Sequence, residues 1–171
     1  MKEFAQTGAP KGPARGAALR RLDPGARRVY GAFLLFLFAG LVTAGLLHYD
    51  AMGLSASAAT AYWRGDEAAM VYPKSYRQIL ELTHFHLFTE PLVWLVVAHL
   101  YQLSGGRGWL AMGTLAAIGL QIVLPWVVAY GTPAAGLLMM PITLAVAVGL
   151  GWMILDSIRE LLWVRSSPPS S

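Results

Sequence analysis

Three histidines and a carboxylate, His84, His86, Glu90 and His99, stand inside one otherwise apolar stretch, residues 81–103, of a chain that has only four histidines. Ionisable side chains are costly within a membrane-crossing segment and mark it as functional, with partners to be found. The fourth histidine, His48, closes an earlier apolar run. Helix geometry, at 3.6 residues per turn and 1.5 Å of rise, turns this spacing into faces. His84 and His99 share one stripe with Phe88, Leu95 and Gln102 and lie roughly 22 Å apart along the axis. His86 lies on nearly the opposite side, with Glu90 one turn below it.

Two chemistries suit these residues. Neutral imidazoles from different helices of a bundle are axial ligands of b-type haem, and one helix with two histidines several turns apart can serve haems in both leaflets. His48 and His84 would then hold an outer haem, while His99 needs a second ligand for an inner one, from Met112 or another subunit. The alternative is a copper or zinc site in which His48, His84 or His86 joins a carboxylate, Asp50 or Glu81, with Asp66 and Glu67 also within the outer loop. A His-x-His pair on a regular helix directs its rings apart, which weighs against both rings serving one ion. The third possibility is that no cofactor binds and the histidines are hydrogen-bonded interfacial residues. Glu90 precedes Pro91, which frees a backbone carbonyl one turn back, and a carboxyl in hydrocarbon either stays protonated or pairs with His86. If it stays neutral, Glu90 is a helix–helix contact; if it titrates, it suits a proton path or a quinone headgroup.

The elements that must position these groups are membrane spans. The chain of 171 residues is 56% hydrophobic and 13% charged, with a mean hydropathy of +0.52, far more apolar than soluble domains. Having no cysteine, it lacks disulfides, thiolate metal sites, iron-sulfur clusters and covalent c-type haem. The expected fold is all-α: a four-helix transmembrane bundle with spans over residues 29–48, 76–103, 109–130 and 134–163, each near or above the roughly 20 residues that cross the hydrocarbon. Residues 1–28, rich in Gly, Pro, Lys and Arg, are expected to form a disordered basic cytoplasmic arm, and residues 164–171 a disordered tail.

Between the first two spans, the outer loop 49–75 is expected to carry a short amphipathic helix opened by Ser55 and broken at Gly65. Ser75 with Gln78 has the form of a capping box opening the histidine helix. Gln121 and Thr143 are expected to hydrogen-bond across the bundle. Gly136, Gly149 and Gly151 permit close helix approach, and Asp156, Arg159 and Glu160 form a local cluster. Met139 and Met140 are read as core.

The formal charge of +4 does not point to nucleic acid, because the basic residues lie at the ends of apolar runs. Lys2, Lys11, Arg15, Arg20, Arg21, Arg27, Arg28, Arg107, Arg159 and Arg165 fall on one side of such a bundle, and Arg64, Lys74 and Arg77 on the other. That bias places both termini in the cytoplasm and the histidine end outside.

Residues 62–70 (YWRGDEAAM), 72–75 (YPKS) and 81–87 (ELTHFHL), with His99 and Leu100, resemble a group of small four-span bacterial inner-membrane proteins. The resemblance implies that the outer loop and the histidine helix form one unit; it implies no reaction. Phosphate loops, nucleophile elbows, HExxH and paired di-iron carboxylate motifs are missing, so whether the chain is an enzyme stays open. The functional expectation is a small integral subunit of an inner-membrane electron-transfer assembly, with His48 and His84 on a b-type haem and His86 and Glu90 in a proton or quinone role. The alternatives are a non-catalytic accessory or assembly subunit and a periplasmic-side copper- or zinc-binding protein. Expected partners are the lipid bilayer and other membrane subunits or a second copy.

Overall fold

A computed structural model describes residues 17–162. Six α-helices follow one another: α1 (Ala17–Arg20), α2 (Pro24–Met52), α3 (Ala56–Arg64), α4 (Tyr76–Leu103), α5 (Gly108–Tyr130) and α6 (Gly136–Leu162), the last entered through a 3-10 turn at Pro133–Ala135. Among the described residues no strand forms; the one bridge joins Asp66 to Val71 in the loop between α3 and α4. Three segments, Pro24–Met52, Gly108–Tyr130 and Pro133–Leu162, are long and apolar enough to cross a membrane. At 28 residues, α4 is as long, but Arg77, Glu81, three histidines and Glu90 make it more polar.

Local chemistry sets the helix ends. Asp23 caps α2 by accepting from the Gly25 and Ala26 amides, with Pro24 in the first turn. Ser55 caps α3 through the Ala58 amide. Ser75 and Gln78 form the reciprocal capping box at the start of α4, so two of that helix's orphan amide donors are satisfied. Gly65 ends α3 at φ +81°, and a Cβ there would lie 2.8 Å from Pro73 N and Val71 O; only glycine fits this turn.

The basic arm expected over residues 1–28 ends earlier. Leu19 is fully buried, Arg20 pairs with Glu160 at 2.6 Å, and α2 starts at Pro24. Leu19 and Leu22 supply the apolar anchors and Asp23-Pro24 the helix start, signals that the surrounding basic residues obscure. Residues 1–16, and the tail 164–171, lie outside the described residues.

Interhelix bonds give the helix directions. Thr83 accepts from Trp126 Nε1, Glu90 from Gln121, and the Ala111 carbonyl from Trp94 Nε1, which makes α4 and α5 antiparallel. Arg27 donates to the Leu161 carbonyl, and Gly151 faces Leu41, which makes α2 and α6 antiparallel. Gly149 sits against Thr114 of α5 and Gly136 against Thr60 of α3, the close approaches expected of small residues between membrane helices.

One end of the molecule thus gathers Arg20, Arg27, Arg107, Asp156, Arg159 and Glu160, and the other gathers His48, α3 and the start of α4. The core divides accordingly, with Leu19, Val97, Ile118, Met153 and Ile154 in the cluster toward the arginine end. Met52, Trp63, Ile79, Leu124 and Met139 form the cluster at the histidine end.

Candidate buried polar site

Along α4, His86 and Glu90 are separated by one turn, so their side chains meet on one face. His86 Nδ1 lies 2.7 Å from Glu90 Oε1, and Gln121 Nε2 of α5 donates to the same oxygen at 3.3 Å. The Glu90 side chain is 18% exposed and that of His86 32%. Glu90 stands 14 residues beyond Tyr76, roughly 21 Å down a helix about 42 Å long, and so at its middle.

Beside this pair lies a cavity of about 90 Å³ lined by His48 and Met52 of α2, Trp63 of α3, His86 of α4, Gln121 of α5 and Thr143 of α6, among others. Five helices contribute to it. Among the described residues, four buried side-chain atoms have no hydrogen-bond partner: Trp63 Nε1, Glu90 Oε2, Gln121 Oε1 and Thr143 Oγ1. Trp63, Gln121 and Thr143 line the cavity, and Glu90 is bonded to two lining residues, His86 and Gln121. Each such atom costs about 1–3 kcal/mol if left unpaired in a protein interior. Their clustering about one space marks a polar site rather than four independent packing defects. The volume suits about three waters and is far below the ~300 Å³ of the smaller organic-ligand pockets.

Chemically, the pair can hold one proton in two ways, as imidazolium and carboxylate or as neutral imidazole and carboxylic acid. Both arrangements carry the same net charge, so moving the proton between Nδ1 and Oε1 leaves no unpaired charge in a low-dielectric interior. With Nδ1 committed to Glu90, Nε2 of His86 is the ring atom left to exchange a proton with the surroundings.

The remaining site residues are arranged differently from the expectation. His48 shares its cavity with His86, whereas His84 is exposed, its ring 5.0 Å from that of Phe88. The structure therefore does not bring His48 and His84 to one internal site. His99 is exposed near the arginine end, as is Met112. Asp50 is exposed, Glu81 pairs with Arg77 at 2.7 Å, and the Asp66 carboxylate accepts from the Ala68 and Ala69 amides. No three His, Asp or Glu side chains among the described residues converge as a metal-ligating group.

Gln121 makes its cross-bundle bond, but Thr143 does not. Thr143 faces the cavity, where no protein acceptor lies within reach. The Asp156, Arg159 and Glu160 cluster forms, with Arg159 2.9 Å from Asp156 and 3.6 Å from Glu160, but Glu160 is buried and also pairs with Arg20. Trp63 of α3 is 3% exposed and puts its indole N–H at the cavity, which no pattern within α3 signals.

A family model for a transmembrane helical domain, Aq_1264_TM, matches residues 53–168. This interval covers α3 to α6 and leaves out α2 and His48. No curated protein and no solved structure matches the chain.

Proposed function

The chain belongs to this transmembrane helical domain family, and on that premise we propose that it is a proton-handling subunit of an electron-transfer assembly in the bacterial inner membrane. In this reading α4 is the fourth span. Its length exceeds the ~30 Å of hydrocarbon, and its polar groups Thr83 and Glu90 are met by Trp126 and Gln121 of α5. The excess of Lys and Arg at the α1, Arg107 and Arg159 end supports cytoplasmic termini.

One observation carries the reading: the unpartnered polar atoms gather around His86 and Glu90, where a proton can move without net charge burial. Water in the cavity would link Glu90 Oε2, Gln121, Thr143 and His48 toward the outer end. A quinone headgroup, or a neighbouring membrane subunit, is the proton's other party.

Infrared difference spectroscopy of the protein in bilayers tests this. The expected result is a carboxylic C=O band that responds to a pH step, shifts in D2O, vanishes in Glu90→Gln and is altered in His86→Phe. A spectrum unchanged by either substitution would overturn it and leave the accessory-subunit reading, with the histidines as packing groups.

A second reading rests on the exposure of His84 and His99 along α4. Either can ligate a b-type haem shared with a partner subunit, since each faces away from the bundle. A Soret band and a sharp α band in the assembled complex, lost in His84→Ala or His99→Ala, support it; bands in the isolated chain that depend on His48 would instead support ligation from within. A copper or zinc site would draw on His48 and His86, and metal analysis after dialysis, with His48→Ala as control, reports on it.

A further inference from the structure

At the arginine end, a groove of about 740 Å³ opens between α5 and α6. Its α6 wall is one helical stripe, Ala145, Val148, Gly149, Trp152, Asp156 and Arg159, spaced at three and four residues. From Ala145 to Arg159 the stripe runs roughly 21 Å, enough for a headgroup layer plus one leaflet of a hydrocarbon core about 30 Å thick. The chemistry changes along it. The deep half is apolar and small-walled, whereas the mouth carries Arg107, Trp109 and Arg159.

Charge at the mouth does not cancel. Asp156 pairs with Arg159 at 2.9 Å and accepts from Ser104 at 3.4 Å. Arg107 is exposed and has no ion pair or side-chain hydrogen bond among the described residues. One guanidinium is thus left over where the groove meets the membrane surface. Trp109 and Trp152 are both exposed, at 68% and 61%, and tryptophan favours the headgroup level.

We propose that this groove binds a single anionic phospholipid of the leaflet on the arginine side, with its phosphate at Arg107 and one acyl chain between α5 and α6. Basic pockets between membrane helices recognise anionic headgroups in this way. The taper from a cationic mouth to an apolar floor fits a lipid better than a peptide, whose backbone polar groups the floor could not satisfy.

Gly113 gives a clean test. It lines the groove, and a Cβ at this position meets nothing within 4 Å, so the side chain added by Gly113→Leu starts from open space on the groove wall. The full chain is inserted into nanodiscs of mixed phosphatidylglycerol and phosphatidylethanolamine, released into mild detergent, and weighed intact by native mass spectrometry. The expected result is one retained phospholipid, enriched in phosphatidylglycerol. Arg107→Gln lowers that enrichment about fivefold, one basic side chain's share, and Gly113→Leu abolishes retention of both lipids. The proposal is overturned by absence of an adduct, by equal retention of the two lipids in the unmodified chain, or by persistence of the adduct in Gly113→Leu. An enrichment insensitive to Arg107→Gln overturns the headgroup assignment.

Discussion

Replacing Gly149 by Ala probes the closest approach between α5 and α6, and its cost can be worked from the contacts. The added Cβ would overlap Thr114 Oγ1 and lie 3.0 Å from Thr114 Cγ2 and 3.2 Å from Thr114 Cβ. Thr114 cannot swing away freely, because its hydroxyl donates to the Leu110 carbonyl at 2.8 Å. Overpacking of this kind costs about 1–3 kcal/mol, offset by about 1 kcal/mol for exchanging a helical glycine for alanine. The net expectation is a destabilisation of about 0–2 kcal/mol. In a Thr114→Ala background the two nearest atoms are gone, and the remaining 3.2 Å contact needs a shift of only a few tenths of an ångström. Gly149→Ala should then be neutral or mildly stabilising, which gives a coupling of about 2 kcal/mol, within the range found for touching residues. Reversible unfolding in mixed micelles of the four proteins of the cycle measures it. A coupling below about 0.5 kcal/mol would refute the contact as the source of the cost.

Three further outcomes follow from other contacts. Gly65→Ala should cost about 2–3 kcal/mol, since φ +81° is glycine territory and the new Cβ meets backbone; protease cleavage within residues 66–74 should accelerate. Trp126→Phe removes the 2.7 Å bond to Thr83 and should cost about 0.6–1.7 kcal/mol, the range for polar contacts between membrane helices. A double-mutant cycle with Thr83→Val should show most of that cost as coupling. Glu160→Gln removes the charge paired with Arg20; Glu160 is buried but Arg20 is partly exposed, so about 1–3 kcal/mol is expected rather than the full ~3–5 kcal/mol of a wholly buried pair. Hydrogen exchange should show faster exchange confined to residues 17–22.

Features written in neighbouring residues were legible. Ser75 and Gln78 announced the start of α4, Ser55 that of α3, and Gly65 its end, because each acts within a few bonds of itself. The His86 and Glu90 pair belongs to the same class: a spacing of four on a helix produces contact whatever surrounds it. Apolar content likewise made membrane-crossing helices predictable, since a chain this greasy cannot be covered by its own polar residues.

Only the tertiary structure decided which histidine joined His48, where Thr143 and Trp63 pointed, and that Glu160 reached across to Arg20. These depend on how far each helix is rotated and slid against its neighbours. In α2, α5 and α6 nearly every face is apolar, so periodicity does not single out an inward side. Rotation is fixed instead by small-residue contacts such as Gly149 on Thr114 and Gly136 on Thr60, and by a few long bonds such as Trp94 to Ala111. By itself the sequence determined the helices, their caps and the i,i+4 pair. The packing of α2, α3, α4 and α5 against α6 turned that pair into a cavity lined with unpartnered polar atoms, because close approach between helices is set by shape at separations that local spacing does not encode.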